Sequence, residues 1–209
     1  MHEIIALLSV IVLFAILFAV GLKTNSNLIV KYAEQIRNVS SPFSNFVGFR
    51  RYGRGFQALC LLKEQKIFTR IDTTLSLTWR ENPMYYILSP ITKDKDSIFI
   101  WGTLKKKPEF NLHIYNRKYS KNVKYDKTLK KLDLKNIGTT IVTDSEYKTC
   151  SLLDKVSPLL SSLKNCIEFI SVNKEEGYVK IRGYIVNEES IRHIFNLLLQ
   201  FGKIVDEIR

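Results

Sequence analysis

Eleven cations crowd the stretch from Lys105 to Lys135. They are Lys105, Lys106, Lys107, Arg117, Lys118, Lys121, Lys124, Lys127, Lys130, Lys131 and Lys135, set against Glu109, Asp126 and Asp133. Tyr115, Tyr119 and Tyr125 are interleaved with them. Cations alternating with aromatic rings suit stacking on nucleic acid or insertion among lipid headgroups. Arg117 is the one arginine among them, so the attraction expected is that of point charges rather than the bidentate reading that a guanidinium provides. The same composition also describes a solvated loop between strands.

The remaining residues with chemical potential form no constellation. "GRGFQA" places Gly53, Gly55 and Ala58 in the spacing of a dinucleotide loop. That loop needs a strand before it and a helix after it, and here an Arg-rich segment leads into an apolar run. A turn entering a strand is the expectation. His2, His113 and His193 have no Cys, Asp or Glu at ligand spacing, and no nucleophile elbow, Walker loop or H-E-x-x-H is present. Cys60, Cys150 and Cys166 are odd in number and far apart, which suggests neither disulfides nor zinc but reduced, mostly buried thiols. Asn38-Val39-Ser40 matches the glycosylation sequon, which matters only in an extracytoplasmic topology. The sequence therefore predicts no catalytic residue, no cofactor and no metal, and a non-enzymatic binding protein is the expected class.

The element that must position these cations is N-terminal. Residues 3–22, "EIIALLSVIVLFAILFAVGL", carry a single charge at the edge, and about 20 such residues match the hydrocarbon core of a bilayer. A cleaved signal peptide would need a basic n-region, and "MHE" has neither Lys nor Arg. Lys23, Lys31, Arg37, Arg50, Arg51 and Arg54 all follow the span, so the body is expected on the cytoplasmic side of a single-pass membrane protein. That membrane would be the endoplasmic reticulum in a eukaryote and the plasma membrane in a prokaryote. The whole chain carries a formal net charge of +12, which implies acidic partners such as headgroups, RNA or an acidic protein surface.

Beyond the anchor (1–22), Leu28, Ile29, Tyr32, Ala33 and Ile36 recur at helical spacing. They predict a juxtamembrane amphipathic helix within 23–42, capped at Asn25 or Ser26 and ended by Ser40-Ser41-Pro42. Residues 43–209 read as a cytoplasmic α+β domain containing the basic tract 105–135. Strands are predicted at 55–63, 84–91, 97–104, 110–116 and 138–144, with "TKDKD" joining the second and third as a hairpin. "EQKIFTRIDTTLSLTW" (64–79) reads as a helix, from Ile67, Ile71 and Leu75 at every fourth residue. A helix at 145–165 starts from Ser145 and carries Pro158. A hairpin about Gly177 and a closing helix capped by Asn187 complete the chain. The pattern strand, helix, strand, strand occurs at 55–104 and again at 138–186. The expected architecture is a mostly antiparallel sheet with helices on one face.

Three stretches carry a family resemblance: "GLKTNSNLIVKYAEQIRNVSSPFSNFVG" after a single span, "GFQALCLLKEQKIFTRI", and "IFIWGTLKK". With the closing "VKIRGYIVNEESIRHIFNLLLQFGKIV", they resemble the calumin family over roughly residues 10–104 and 178–205. Calumin is the single-span, coiled-coil-containing subunit of the PAT complex, which works with Asterix at the Sec translocon. The resemblance implies an intramembrane-chaperone subunit that assists insertion of multipass proteins, with a Sec-type channel, an Asterix-like small protein and the ribosome as partners. Family members carry an acidic segment before the span and a Lys/Glu-rich C-terminal coiled coil, which this sequence lacks, so the expectation is a minimal, archaeal form. The alternative expectation is a membrane-tethered module for RNA or anionic lipid, unrelated to translocation.

Overall fold

The computed structural model describes residues 2–63, 67–92, 94–116, 129–134, 139–162 and 166–208. Helix α1 (His2–Ser40) leads into a hairpin of β1 (Ser44–Tyr52) and β2 (Gly55–Leu62), followed by β3 (Phe68–Ser76) and α2 (Pro83–Thr92). Then come β4 (Ser97–Leu104), β5 (Leu112–Asn116), β6 (Lys130–Leu134), β7 (Thr139–Thr143), α3 (Glu146–Ser162), β8 (Ile167–Asn173), β9 (Tyr178–Tyr184) and α4 (Ser190–Glu207). The strands form one sheet in the order β1-β2-β3-β4-β9-β8-β5-β7-β6, and every pairing is antiparallel. The α+β architecture read from the sequence is the one observed.

Alternation along the strands sets the layers. In β4, Ile98, Ile100 and Leu104 are buried while Phe99, Trp101 and Thr103 stay half-exposed on the opposite face. The buried face is covered by the second half of α1 (Tyr32, Ile36), by α3 (Leu152, Val156) and by the apolar stripe of α4 (Ile191, Ile194, Phe195, Leu198, Phe201, Val205). Ile36 is fully buried, which contributes about 1.5–3 kcal/mol and ties α1 to the core. The first half of α1 is a different surface: Ile4, Leu8, Ile11, Phe14 and Phe18 are all exposed. Among the described residues, α1 is the one helix long and apolar enough to cross a membrane.

Several elements differ from the sequence reading. Residues 68–76 form a strand where a helix is predicted. Ile71 and Leu75 are four apart, an even number that also keeps them on one face of a strand, and Thr69, Thr73 and Thr74 favour the extended backbone. Residues 84–91 form helix α2 instead of a hairpin strand. Asn82 Oδ1 accepts from Met84 N (3.0 Å) and Pro83 opens the first turn, which is cap chemistry. β1 and the edge strand β6, both cation-rich, are two further strands. Asn25 and Ser26 cap nothing, because α1 runs unbroken through them. Helix α4 begins at Ser190, whose hydroxyl accepts from Asn187 N (3.0 Å) and donates to Asn187 Oδ1 (2.8 Å). Gly53, at φ +51°, makes the β1–β2 turn, in agreement with the turn reading of "GRGFQA". Cys60 is buried, whereas Cys150 is exposed.

Candidate functional site

A buried polar cluster joins α1 to the β3–β4 connection at the end of the sheet nearest the apolar half of α1. Gly21 approaches the carbonyl of Arg80 so closely that a Cβ there would lie 2.1 Å from the oxygen. One helical turn on, Asn25 Nδ2 donates to Thr78 O (3.2 Å) and Glu81 Oε2 (2.6 Å), while Asn25 Oδ1 accepts from Arg80 Nη1 (3.1 Å). Arg80 also grips Asp96 with both terminal nitrogens, at 2.8 and 2.9 Å. Thr78 N (2.9 Å), Thr78 Oγ1 (3.2 Å) and Tyr32 OH (3.2 Å) complete the donors on Asp96.

Asp96 is 4% exposed, so its carboxylate oxygens take their hydrogen bonds from those partners. Burial, with Asp96 reinforcing it, pushes the Tyr32 phenol up to about 12. Burial works against the Arg80 charge, but the hydrogen bonds and attraction of Asp96 prevail and hold its pKa above the ordinary value. A tyrosine, an arginine and an aspartate together resemble catalytic machinery. Here their polar atoms are spent on one another and on α1, so the chemistry they perform is fixing a helix in place.

The sheet face opposite the core, on which no helix packs among the described residues, is the second feature. Rings from β4, β8 and β5 form a row: contacts link Trp101 to Phe99 (5.2 Å between centroids), Phe99 to Phe169 (6.1 Å), Phe169 to Tyr115 (6.2 Å) and Tyr115 to His113 (6.1 Å, stacked). Lys180 lies over the Tyr178 ring at 3.7 Å, and Arg182 pairs with Glu168 at 3.1 Å. His113 Nδ1 and Ser171 Oγ are 2.8 Å apart, and burial lowers the His113 pKa against the opposing pull of Asp144. Half-exposed aromatic rings flanked by cations form a surface for planar or apolar groups of a partner.

The described lysines of the basic tract fall at two places. Lys105, Lys106 and Lys107 follow β4 at the end of the sheet away from the apolar half of α1, all exposed, with Lys107 Nζ donating to Glu175 O (2.7 Å). Lys130 and Lys131 stand on the edge strand β6, where Lys130 faces Glu146 at 3.4 Å. From β4 to β6 is five strand spacings, about 24 Å. Arg117, Lys118, Lys121, Lys124 and Lys127, with Lys135, lie outside the described residues. Among the described residues, no group of three or more His, Cys, Asp or Glu is placed to hold a metal.

Sequence reasoning missed the Asn25–Arg80–Asp96 cluster and the aromatic row. The row had a signal, since Phe99 and Trp101 alternate with Ile98 and Ile100 in an otherwise ordinary strand. The cluster had none, because its members are brought together only by the fold.

No protein-family model matches this sequence, and no curated protein does. Among solved structures, the crystal structure of the mycobacterial trehalose monomycolate transport factor A, TtfA, aligns with 78% of this chain and 70% of its own. The identity is 9% and the TM-score 0.39, a level at which function rests on the residues of this chain alone.

Proposed function

We propose that this chain is a single-pass, membrane-anchored, non-enzymatic docking subunit. Its apolar rod crosses the bilayer and holds the sheet domain at a fixed height and angle, so that the aromatic face meets a protein partner in or beside the same membrane. One observation carries this reading: α1 is a single helix from His2 to Ser40, apolar and exposed in its first half and built into the core in its second. A cleavable leader is expected to end in an accessible extended segment. Here the candidate cleavage site, Ala19-Val20-Gly21, lies in mid-helix, with Gly21 packed on Arg80.

The cytoplasmic orientation is supported by the β1–β2 hairpin, which folds back beside α1. Arg50, Arg51 and Arg54 line one cleft with Leu22, Asn25 and Ser26, so they count with Lys23, Lys31 and Arg37 as cations flanking the span. The specific partner proposed, from the resemblance to the calumin family, is a Sec-type translocation channel with its small membrane subunits, where the protein assists insertion of multipass clients. Purification of the full-length protein in mild detergent tests it. Channel or ribosomal components are expected to remain bound at moderate salt, whereas recovery of neither contradicts the reading.

The interleaving of Phe99, Phe169 and Tyr115 with Lys180 and Arg182 favours a second reading, a tethered module for single-stranded RNA. RNA binding that falls steeply with salt would favour it over the protein-docking reading.

A further inference from the structure

Helix α2 reads "PMYYILSPIT", ten residues without a charge, and none of them is buried. A helix that is apolar on every side normally lies inside a protein. Here Ile91 is 77% exposed, Ile87 57%, Leu88 44% and Met84 43%. A contiguous apolar surface of this kind marks a place where something covers the protein. An apolar stretch of this length is too short to span a bilayer and is typical of interfacial segments.

Its position identifies the cover. The packing of Gly21 on Arg80 and Glu81 sets the start of α2, two residues later, at the height where the span ends. α2 also packs on α1 itself. The β1–β2 turn emerges at this same end of the sheet and carries Arg50, Arg51 and Arg54, all exposed. Among the described residues none of the three has a carboxylate partner, and Arg54 lies over the Trp79 ring at 5.0 Å. Trp79 and Tyr52 are each about half exposed. Tryptophan and tyrosine favour the headgroup level, and arginine pairs with phosphate oxygens there. The acids of this end include Asp96, buried against Arg80, Glu81, already bonded to Asn25, and Asp94, while Lys95 adds a further exposed cation.

We propose that α2 lies in the headgroup–acyl boundary of the leaflet next to the domain, with the Arg50, Arg51 and Arg54 turn binding the phosphates of anionic lipids beside it. The domain then touches the membrane at two places, the span and this foot. The inference rests on the anchor reading above, and it commits to lipid as the occupant of α2 on two grounds: the continuity of α2 with the span, and three exposed arginines without a carboxylate partner among the described residues.

Site-specific quenching on the full chain tests it. With Cys150 and Cys166 changed to Ser, a fluorophore is placed in turn at Ile87→Cys, Met84→Cys, Leu13→Cys and Lys106→Cys. The protein is reconstituted into vesicles of phosphatidylcholine and phosphatidylglycerol carrying a shallow or a deep lipid-borne quencher. The 87 and 84 probes are expected to respond to the shallow quencher, the 13 probe to the deep one, and the 106 probe to neither. Changing Arg50, Arg51 and Arg54 to Gln is expected to lower the docked-to-undocked ratio of α2 by ~5-fold per arginine in these vesicles, and to have little effect in phosphatidylcholine alone. If the 87 and 84 probes are as insensitive to lipid as the 106 probe while the 13 probe responds, the foot is refuted and the anchor stands. That holds also if the 87 and 84 probes are hidden from an aqueous quencher, which would mean that a protein covers α2. If the 13 probe does not respond, the anchor reading fails and the foot fails with it.

Discussion

At the end of the sheet nearest the apolar half of α1, the exposed cations include Arg50, Arg51 and Arg54, which have no carboxylate partner among the described residues and are accompanied by Trp79, Tyr52 and an uncovered apolar helix. At the far end the described cations are mostly lysines, with Arg70 paired to Asp72, and acids or carbonyls occupy several of the lysines. Lys148 pairs with Glu109, Lys174 with Asp144 at 3.0 Å, Lys130 with Glu146, and Lys107 with the Glu175 carbonyl. The described lysines of the cation-rich tract are divided between two places on the sheet, and several of them are partnered. Density of positive charge in a sequence does not by itself choose a docking surface. Residue type, partners and the apolar groups alongside decide it.

This contrast breaks most sharply at the joint under the span. Asp96→Ala would leave Arg80 buried without its bidentate partner and is expected to destabilise the full-length protein by about 3–5 kcal/mol, read from unfolding in detergent. Gly21→Val would push a side chain into the Arg80 carbonyl, with an expected loss of about 1–3 kcal/mol and a loosened α1–α2 contact. A smaller effect separates the joint from the distal end by pH. The neutral Tyr32 phenol is favoured in the fold, with its pKa raised to about 12 from 10.0, so its contribution is complete below pH 10 and is lost as pH rises towards 12. Tyr32→Phe is expected to flatten the alkaline limb of the stability–pH curve. The smallest change is expected far from the span. Lys105, Lys106 and Lys107 changed together to Gln should shift stability by under about 1 kcal/mol, since exposed charges contribute little. A larger loss would assign the distal lysines a structural role.

Much of the fold was legible because burial imposes period two on β2, β4 and β9 and period 3.6 on α4. Legibility failed where one pattern satisfies two structures. The four-residue spacing of Ile71 and Leu75 fits a helix face and a strand face alike, and the apolar run of α2 looks like a buried strand when nothing in the sequence says that its cover is outside the chain. Edge strand β1 has little apolar alternation because it pairs on one side only, whereas β6 does alternate, with Leu132 and Leu134 between charged residues, but over only five residues. The joint was illegible for another reason: Asn25, Arg80 and Asp96 are ordinary polar residues until tertiary packing aims them at one another.

The central claim is that span and domain share one rigid helix. Pulsed electron-spin distance measurement on the full chain in lipid nanodiscs tests it directly, with Cys150 and Cys166 changed to Ser and labels at Leu13→Cys in the span and Lys203→Cys on α4. A single narrow distance distribution is predicted. A broad distribution, or a mature chain that has lost the label at position 13, would contradict the account.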